Sequence, residues 1–188
     1  MFILEYIINI SILALIVYLL RNYQIREYND DDSKNAYYFL SGILANEFNI
    51  ILDFQNQDSD LLDINNHYNK DDGGCFWVVE KIDNNQIIGT VAIRKLKNYT
   101  SATTNDNNDT IAELKRMFLS KRYRGLGVGQ QMLDTALAYA KKRGYSKIFL
   151  YSLKELEDSR KLYLKNGFVD ISRYNKDPRA NVFMEKKL

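Results

Sequence analysis

The sequence predicts an α/β domain, a mixed sheet with helices on both faces, preceded by a separate hydrophobic helix. Three observations predict it. Stretches of two-residue alternation and short apolar runs interleave with stretches of helical periodicity, in the order β-α-(α)-β-β-β-α-β-α-β-β. A strand passes through a glycine-rich turn into an amphipathic helix within residues 111–143. Residues 2–20 stand apart in composition from everything that follows. A chain of 188 residues has room for one ordinary domain and a short appendage, which divides it into 1–21 and 22–188.

Residues 2–20 read FILEYIINISILALIVYLL, with Glu5 as the only charge and Asn9 and Ser11 as the other interruptions. As helix they come to about 28 Å, near the hydrocarbon thickness of a bilayer. Three readings compete: a membrane anchor, a helix packed on the domain or a partner, and a cleaved signal peptide. A signal peptide needs a basic start and small residues at its end, and neither is present. A surface helix needs a polar stripe, and none is found from position 12 onward. A single-pass anchor fits best. Arg21 and Arg26 behind it place the remainder in the cytoplasm, against the opposing run Asp30–Asp32. The unpaired Cys75 agrees with that side.

Tyr23 to Tyr28 alternates and reads as the first strand, and Asp31, Asp32 or Ser33 then caps a helix through about Phe48. Ala36, Phe39, Leu40, Ile43, Leu44 and Phe48 share one face of that helix. Residues 53–72 are polar and irregular, with a short helix over 59–68. Cys75–Glu80 and Gln86–Leu96 flank the turn Asp83-Asn84-Asn85 and form an antiparallel hairpin. After the polar loop 98–110, residues 111–120 (IAELKRMFLS) make a further strand. Gly129–Arg143 is a helix with Met132, Leu133, Ala136, Leu137 and Ala140 on one stripe, basic residues in its last turn and Gly144 beyond it. Lys147–Leu153 is a buried central strand, Glu155–Lys165 a second helix, and 168–174 with 181–187 a closing strand pair.

Composition narrows the chemistry. With 26 basic and 24 acidic side chains the chain has no basic field of the kind that holds nucleic acid. One cysteine and one histidine, His67, exclude an internal disulfide and an all-cysteine metal site. They also argue against histidine triads and multi-histidine zinc, so no metal is expected. Catalysis must run on carboxylates, tyrosines, backbone groups or a bound cofactor.

The informative segment is Arg124-Gly125-Leu126-Gly127-Val128-Gly129 between a strand and a helix. Free amides and the positive dipole end at a helix start attract a pyrophosphate, and glycines allow close backbone approach. The other reading of the glycines alone is a tight strand-to-helix turn without a ligand. The P-loop is excluded because Gln130-Gln131 follow Gly129, and the dinucleotide fingerprint because the unit comes late in the chain.

Arg124-x-x-Gly127-x-Gly129 resembles the Q/R-x-x-G-x-G/A signature of the GCN5-related N-acetyltransferase (GNAT) superfamily. AELKRMFL ahead of it resembles that family's fourth strand, SRKLYLKNGF its second signature, and NVFMEKKL its closing strand. The resemblance spans about residues 23–188 and implies the GNAT acyl-CoA N-acyltransferase fold. The stretch 60–80 (DLLDINNHYNKDDGGCFWVVE) resembles more narrowly the camello-like membrane-bound acetyltransferases. That branch carries its hydrophobic segment between the first helix and second strand, whereas here it is N-terminal.

The resemblance implies transfer of acetyl from acetyl-CoA to a primary amine of a small molecule or protein, by direct attack. It assigns the pantetheine arm to amides around Phe118, Leu119 and Ser120, and the pyrophosphate to Arg124 and the amides of Gly125, Leu126, Gly127, Val128, Gly129 and Gln130. Ser159 falls in the second signature, also on the cofactor side. Tyr163 stands at the general acid's place, where a phenol suits a departing thiolate; otherwise it is one of 14 tyrosines, packing a helix. Glu113 is the candidate base, through water, or else a strand-end ion pair with Lys115 or Arg116. An acidic base on the next strand is replaced by Tyr151, and the usual Asn ahead of the tyrosine helix by Leu156-Glu157. These departures keep open a non-catalytic acyl-CoA-binding or membrane-tethered module, and a longer acyl chain stays possible. His67 reads as a surface residue, Cys75 as a small buried side chain, and Trp77 as packing the sheet.

Overall fold

The computed structural model describes residues 22–96 and 111–188; the expected hydrophobic helix 1–21 and the polar loop 98–110 lie outside the described residues. Seven strands form one sheet: β1 (Tyr23–Glu27), β2 (Cys75–Lys81), β3 (Ile87–Lys95), β4 (Ile111–Leu119), β5 (Lys147–Ser152), β6 (Val169–Asp170) and β7 (Val182–Lys187), in spatial order β1-β2-β3-β4-β5-β7-β6. Every neighbouring pair is antiparallel except β4 with β5, which is parallel.

The helices divide between the faces as the apolar stripes require. Helix α1 (Ser33–Phe48) buries Ala36 and Leu40 against Phe76, Val78 and Ala92, together with Leu61, Ile64 and Tyr68 from the segment beyond it. That segment holds the short helix α2 (Ile64–His67) and a 3-10 turn, Ser59–Leu61. On the opposite face α3 (Val128–Lys142) sets Met132, Leu133, Ala136 and Ala140 against Ile93, Ala112 and Leu114, and α4 (Glu157–Lys165) adds Tyr163. Trp77 packs edge-on against Tyr139, 5.1 Å between centroids, within that core.

Two expected features carry detail of their own. Asp32, one of the expected caps, is the N-cap of α1, and a 3-10 turn, Asp30–Asp32, precedes it with a cap at Asn29. The Asn29 side chain accepts the Asp31 N–H at 3.0 Å, and Asp32 accepts the Asn29 N–H at 2.9 Å, a reciprocal box that Arg26 reinforces by two 2.7 Å bonds to Asp32. The closing strand pair is also shorter than 168–174, since only Val169–Asp170 pairs with β7. Beyond Ile171 the chain turns inward: Arg173 donates to the Asp177 and Ala180 carbonyls at 2.9 and 2.6 Å, and the Tyr174 hydroxyl to Glu113 at 2.9 Å.

The sheet is split where β4 meets β5. Only Ile111, Ala112 and Glu113 of β4 pair with β5, opposite Lys147, Ile148 and Phe149. Past that point β4 is bent by a bulge. Ala92 pairs with Lys115 and Thr90 with Phe118, so Val91 alone faces Arg116 and Met117. Arg116 takes φ +51°, a left-handed conformation costing a non-glycine residue about 1–3 kcal/mol unless its surroundings over-determine it. They do. Its buried guanidinium donates to Asp58 Oδ1 at 2.9 Å, to both oxygens of Asp60, and to the Gln57 carbonyl at 3.0 Å, while Thr90 Oγ1 donates to its carbonyl at 2.7 Å.

Removing Arg116 exposes what this cluster contributes. Arg116→Met leaves Asp60 buried with the Tyr68 hydroxyl as its remaining partner. The expected loss is roughly 3–5 kcal/mol in urea melts at pH 7. Burial pushes the Asp60 carboxyl up, but Arg116, Lys115 and Tyr68 together hold it well below the usual carboxylate range. The pairing therefore stabilises the fold fully above about pH 4 and is lost as pH falls through the lower folded value. Melts across acid pH should show the wild type losing more stability than Arg116→Met.

Candidate active site

The split opens a cleft that passes through the sheet, with an empty volume, mouth included, of about 780 Å³. Its walls are Leu114 to Phe118 of β4 and Leu150 to Ser152 of β5. Leu44 and Phe48 of α1 close one end, and Ser159 and Tyr163 of α4 the other. The structure thus brings Phe118, Ser159 and Tyr163 to one cavity. Tyr163 is 6% exposed, its ring 5.6 Å from that of Phe168, and its hydroxyl lies 3.6 Å from Met117 Sδ. Burial pushes its pKa up, so at neutral pH it is a phenol with a proton to give.

The edge of β4 along the cleft follows from strand parity. The Ser120 N–H donates to the Ile88 carbonyl at 2.8 Å, which turns it toward β3. The Met117 and Leu119 backbone groups therefore face the side that β5 has left. Of the three amides expected for a pantetheine arm, Leu119 faces the opening, and Ser120 is used inside the sheet.

Beyond Ser120 a 3-10 turn, Lys121–Tyr123, leads into the glycine loop. Gly125 and Gly127 take φ +73° and +84°, and Gly127 is the N-cap of α3. The first helical bond is Gln131 N–H to the Gly127 carbonyl at 3.2 Å, so the amides of Val128, Gly129 and Gln130 have no helical acceptor. Leu126 packs at the rim of the core and Val128 is fully buried, fixing the loop at both ends. Arg124 donates through Nε to the Leu119 carbonyl at 2.9 Å and through Nη2 to Glu47 at 2.5 Å. Gln130 exchanges two side-chain hydrogen bonds with Asn166, at 2.8 and 2.9 Å, which tie the start of α3 to the end of α4.

A second, polar cavity of about 540 Å³ adjoins the cleft on the α1 side, lined by Asn56, Ser59, Arg94, Glu113 and Asn175 among others. Lys115, Tyr151 and Asp177 line both cavities. Glu113 is 2% exposed, and its ion partner is Arg94 across the β3–β4 pair, not Lys115 or Arg116. Arg94 Nη2 and Nε lie 2.6 and 2.8 Å from Oε2, and Tyr174 donates to Oε1. Burial raises the Glu113 carboxyl, but Lys115, Arg94 and Tyr174 hold it below its usual value, as a carboxylate. Lys115 donates to the Tyr151 hydroxyl. Burial, with Arg94 and Arg116 nearby, brings its ammonium down to about 8 against the pull of Glu113 and Asp60.

Sequence reasoning did not single out Arg94, Tyr174, Asp58 or Asp60, and it named Lys115 and Arg116 only as alternative ion-pair partners of Glu113. One signal was available: Glu113, Lys115 and Arg116 are charges within an otherwise apolar strand, where burial makes an unpartnered charge costly. His67 is exposed on α2, and Cys75 is buried at the start of β2 with its thiol pushed up to about 12. Among the described residues no group of three or more His, Cys, Asp or Glu is placed to hold a metal ion.

Solved structures that superpose on this chain point to its class. An acetyltransferase of the GNAT family from Staphylococcus aureus Mu50 superposes with a TM-score of 0.75 at 29% identity, covering 88% of this chain and 98% of that one. An acetyltransferase from Streptococcus agalactiae shares the fold with a TM-score of 0.75 at 21% identity, over 89% and 99% of the two chains. Residues 34–168 match the Acetyltransferase (GNAT) family, and the chain belongs to it. Among curated relatives, N-acetylaspartate synthetase of Xenopus tropicalis is 30% identical over 132 residues, 70% of this chain and 42% of that protein. N-acetyltransferase 8F1 of Mus musculus is 28% identical over 116 residues, 62% and 49% of the two. Probable N-acetyltransferase camello of Xenopus tropicalis is 29% identical over 109 residues, 58% and 45%. The chain thus spans less than half the length of these relatives.

A Cβ built on Gly127 meets nothing within 4 Å, so its requirement for glycine is conformational, not steric. Gly127→Ala is expected to cost about 1–2 kcal/mol in denaturant melts, the penalty of a left-handed L-residue. A loss near zero would mean that the loop relaxes to another conformation.

Proposed function

We propose that this chain is an acetyl-CoA-dependent N-acetyltransferase that acetylates a primary amine of a small molecule or protein by direct attack. The observation that carries the reading is the cleft through the sheet, with the glycine loop at one end of β4 and Tyr163 over Met117 within it. The names of the relatives, all N-acetyltransferases or an N-acetylamino-acid synthetase, support an amine acceptor.

The residues fit the proposed co-substrate. The acceptor-free amides of Val128–Gln130 and the dipole end of α3 suit a pyrophosphate, and Gly125 and Gly127 leave their Cβ space open. Arg124 can exchange Glu47 for a phosphate oxygen. Leu119 would pair with the pantetheine arm beside Phe118, with Ser159 and Tyr163 lining the sulfur end. Acetyl-CoA supplies an activated thioester, so the protein need supply only orientation, oxyanion donors and proton transfer. Direct attack is supported because neither Cys75 nor His67 lines either cavity. Tyr163 would protonate the leaving thiolate, a role suited to a phenol kept neutral by burial. Glu113, held by Arg94 and Tyr174, is suited to act on the proton's path by its charge or through water.

Incubation with labelled acetyl-CoA and an amine panel tests the reading. Transfer to at least one amine is expected, and Tyr163→Phe should lower kcat about 10²–10⁴-fold while CoA affinity by calorimetry holds. Absence of transfer from folded, CoA-binding protein would overturn it in favour of an acyl-CoA-binding module.

We also propose that residues 1–20 tether the domain to a membrane, a reading resting on their composition. No helix among the described residues is long and apolar enough to cross one. Fractionation without detergent should find the full chain with membranes and a chain lacking residues 1–20 in the supernatant. A full chain in the supernatant would overturn the proposal.

A further inference from the structure

A buried ammonium normally has a carboxylate of its own. Lys115 does not. It is 8% exposed, its Nζ donates to the Tyr151 hydroxyl, and among the described residues no carboxylate lies within ion-pair distance of it. The acids around it are already engaged: Glu113 with Arg94, Asp60 with Arg116, and Asp177 with Arg179 at 3.1 Å. Asp58 is shared between Arg116 and Arg179, 2.9 Å from each. Lys176 lines the same polar cavity.

Its position is equally particular. Lys115 and Tyr151 stand where the polar cavity opens into the cleft, and the third shared residue, Asp177, is held by Arg179 and its own loop. Register places Lys115 opposite Ala92, on the α1 face of the sheet, whereas Tyr163 belongs to the core on the α3–α4 face. A nucleophile arriving from the polar cavity meets Lys115 before it reaches the cleft.

We propose that Lys115, oriented by Tyr151, is the proton acceptor for the attacking amine; this rests on the acetyltransferase reading above. Neutral Lys115 takes one proton from the acceptor ammonium. The freed nitrogen lone pair forms the N–C bond at the thioester carbonyl, the C–S bond breaks, and its electron pair leaves on the CoA thiolate. The thiolate takes the Tyr163 proton, the second nitrogen proton restores Tyr163 through water, and Lys115 returns its proton to solvent. No oxidant or further reactant is needed. Arg94 from β3 and Arg116 from β4 both oppose a third positive charge at this point, and the lowered ammonium of Lys115 has this cause together with its burial. Glu113, Asp60 and Asp177 favour the charge, and Tyr151 stays a phenol because burial, Glu113 and Asp177 push it up.

Lys115→Arg separates this role from that of a charge that merely anchors an anionic acceptor, because arginine keeps the charge and does not deprotonate. With an amine that the wild type acetylates, kcat/KM should rise as pH rises through about 8. Lys115→Arg should lose that limb and fall about 10²–10⁴-fold, with CoA affinity unchanged. Wild-type rate and pH profile in Lys115→Arg would overturn the proposal. NMR titration of the full-length protein labelled with ¹⁵N-lysine, the Lys115 signal assigned by the same variant, reads the group without turnover. A midpoint near 8 is expected, and an ordinary lysine midpoint of about 10.4 would overturn the proposal whether or not any amine is acetylated.

Discussion

The structure depends on one buried guanidinium. Arg116 sits in a left-handed conformation that its residue type disfavours, and it stays there because Asp58, Asp60 and the Gln57 carbonyl take its donors. That conformation is the β-bulge, and beyond the bulge β4 and β5 no longer pair. The opening in the sheet is therefore held by ion pairs outside the strands. Asp58 carries the same constraint on to Arg179, so the segment after α1, the bent strand and the loop before β7 are fixed as one unit. Buried ion pairs of this kind are weak sources of net stability. Here their consequence is shape: they specify a strand that leaves its neighbour halfway.

The same arginines set the electrostatics of the cleft. Each nearby acid is matched to an arginine, and arginine stays charged at any relevant pH. Lys115 is the group left to respond. It has neighbours of both signs and a phenol for a partner, so burial decides the direction of its shift. An unbalanced charge count would have produced a different site: with one more carboxylate beside it, Lys115 would form an ordinary buried pair with its proton locked in place.

Much of the fold was legible in the sequence because each element carries its own periodicity. The α3 stripe Met132, Leu133, Ala136 and Ala140 is buried as its spacing requires, and the β2–β3 hairpin turns at Asp83–Asn85. The glycine loop was legible because Gly125 and Gly127 answer a local backbone demand. What failed to show was long-range. Arg94 meets Glu113 only through the β3–β4 register, Tyr174 reaches it across 61 positions, and Asp58 reaches Arg179 across 121. No local pattern encodes such pairs. The segment 53–72 reads as polar and irregular for the same reason, since Asp58 and Asp60 find their partner only when Arg116 is folded against them. The two-residue β6 has a related origin: the run 171–174 has strand-like composition, but Arg173 and Tyr174 find better partners inward.

The two faces of the sheet are chemically unlike, and this difference gives the proposed reaction its direction. On the α3–α4 side Tyr163 lies among Met117, Phe168 and Met184, an apolar setting where a phenol keeps its proton. On the α1 side Lys115 lies among arginines and carboxylates, a setting that tolerates an incoming ammonium and lowers the cost of a proton transfer. A sheet with all its strands paired would keep these two environments apart. The bulge at Arg116 joins them, and in the proposed reaction a proton is taken on one face and given back on the other, with bond exchange in the gap between. This arrangement asks nothing of histidine or cysteine, which is why a chain holding one of each can be read as an enzyme of this class.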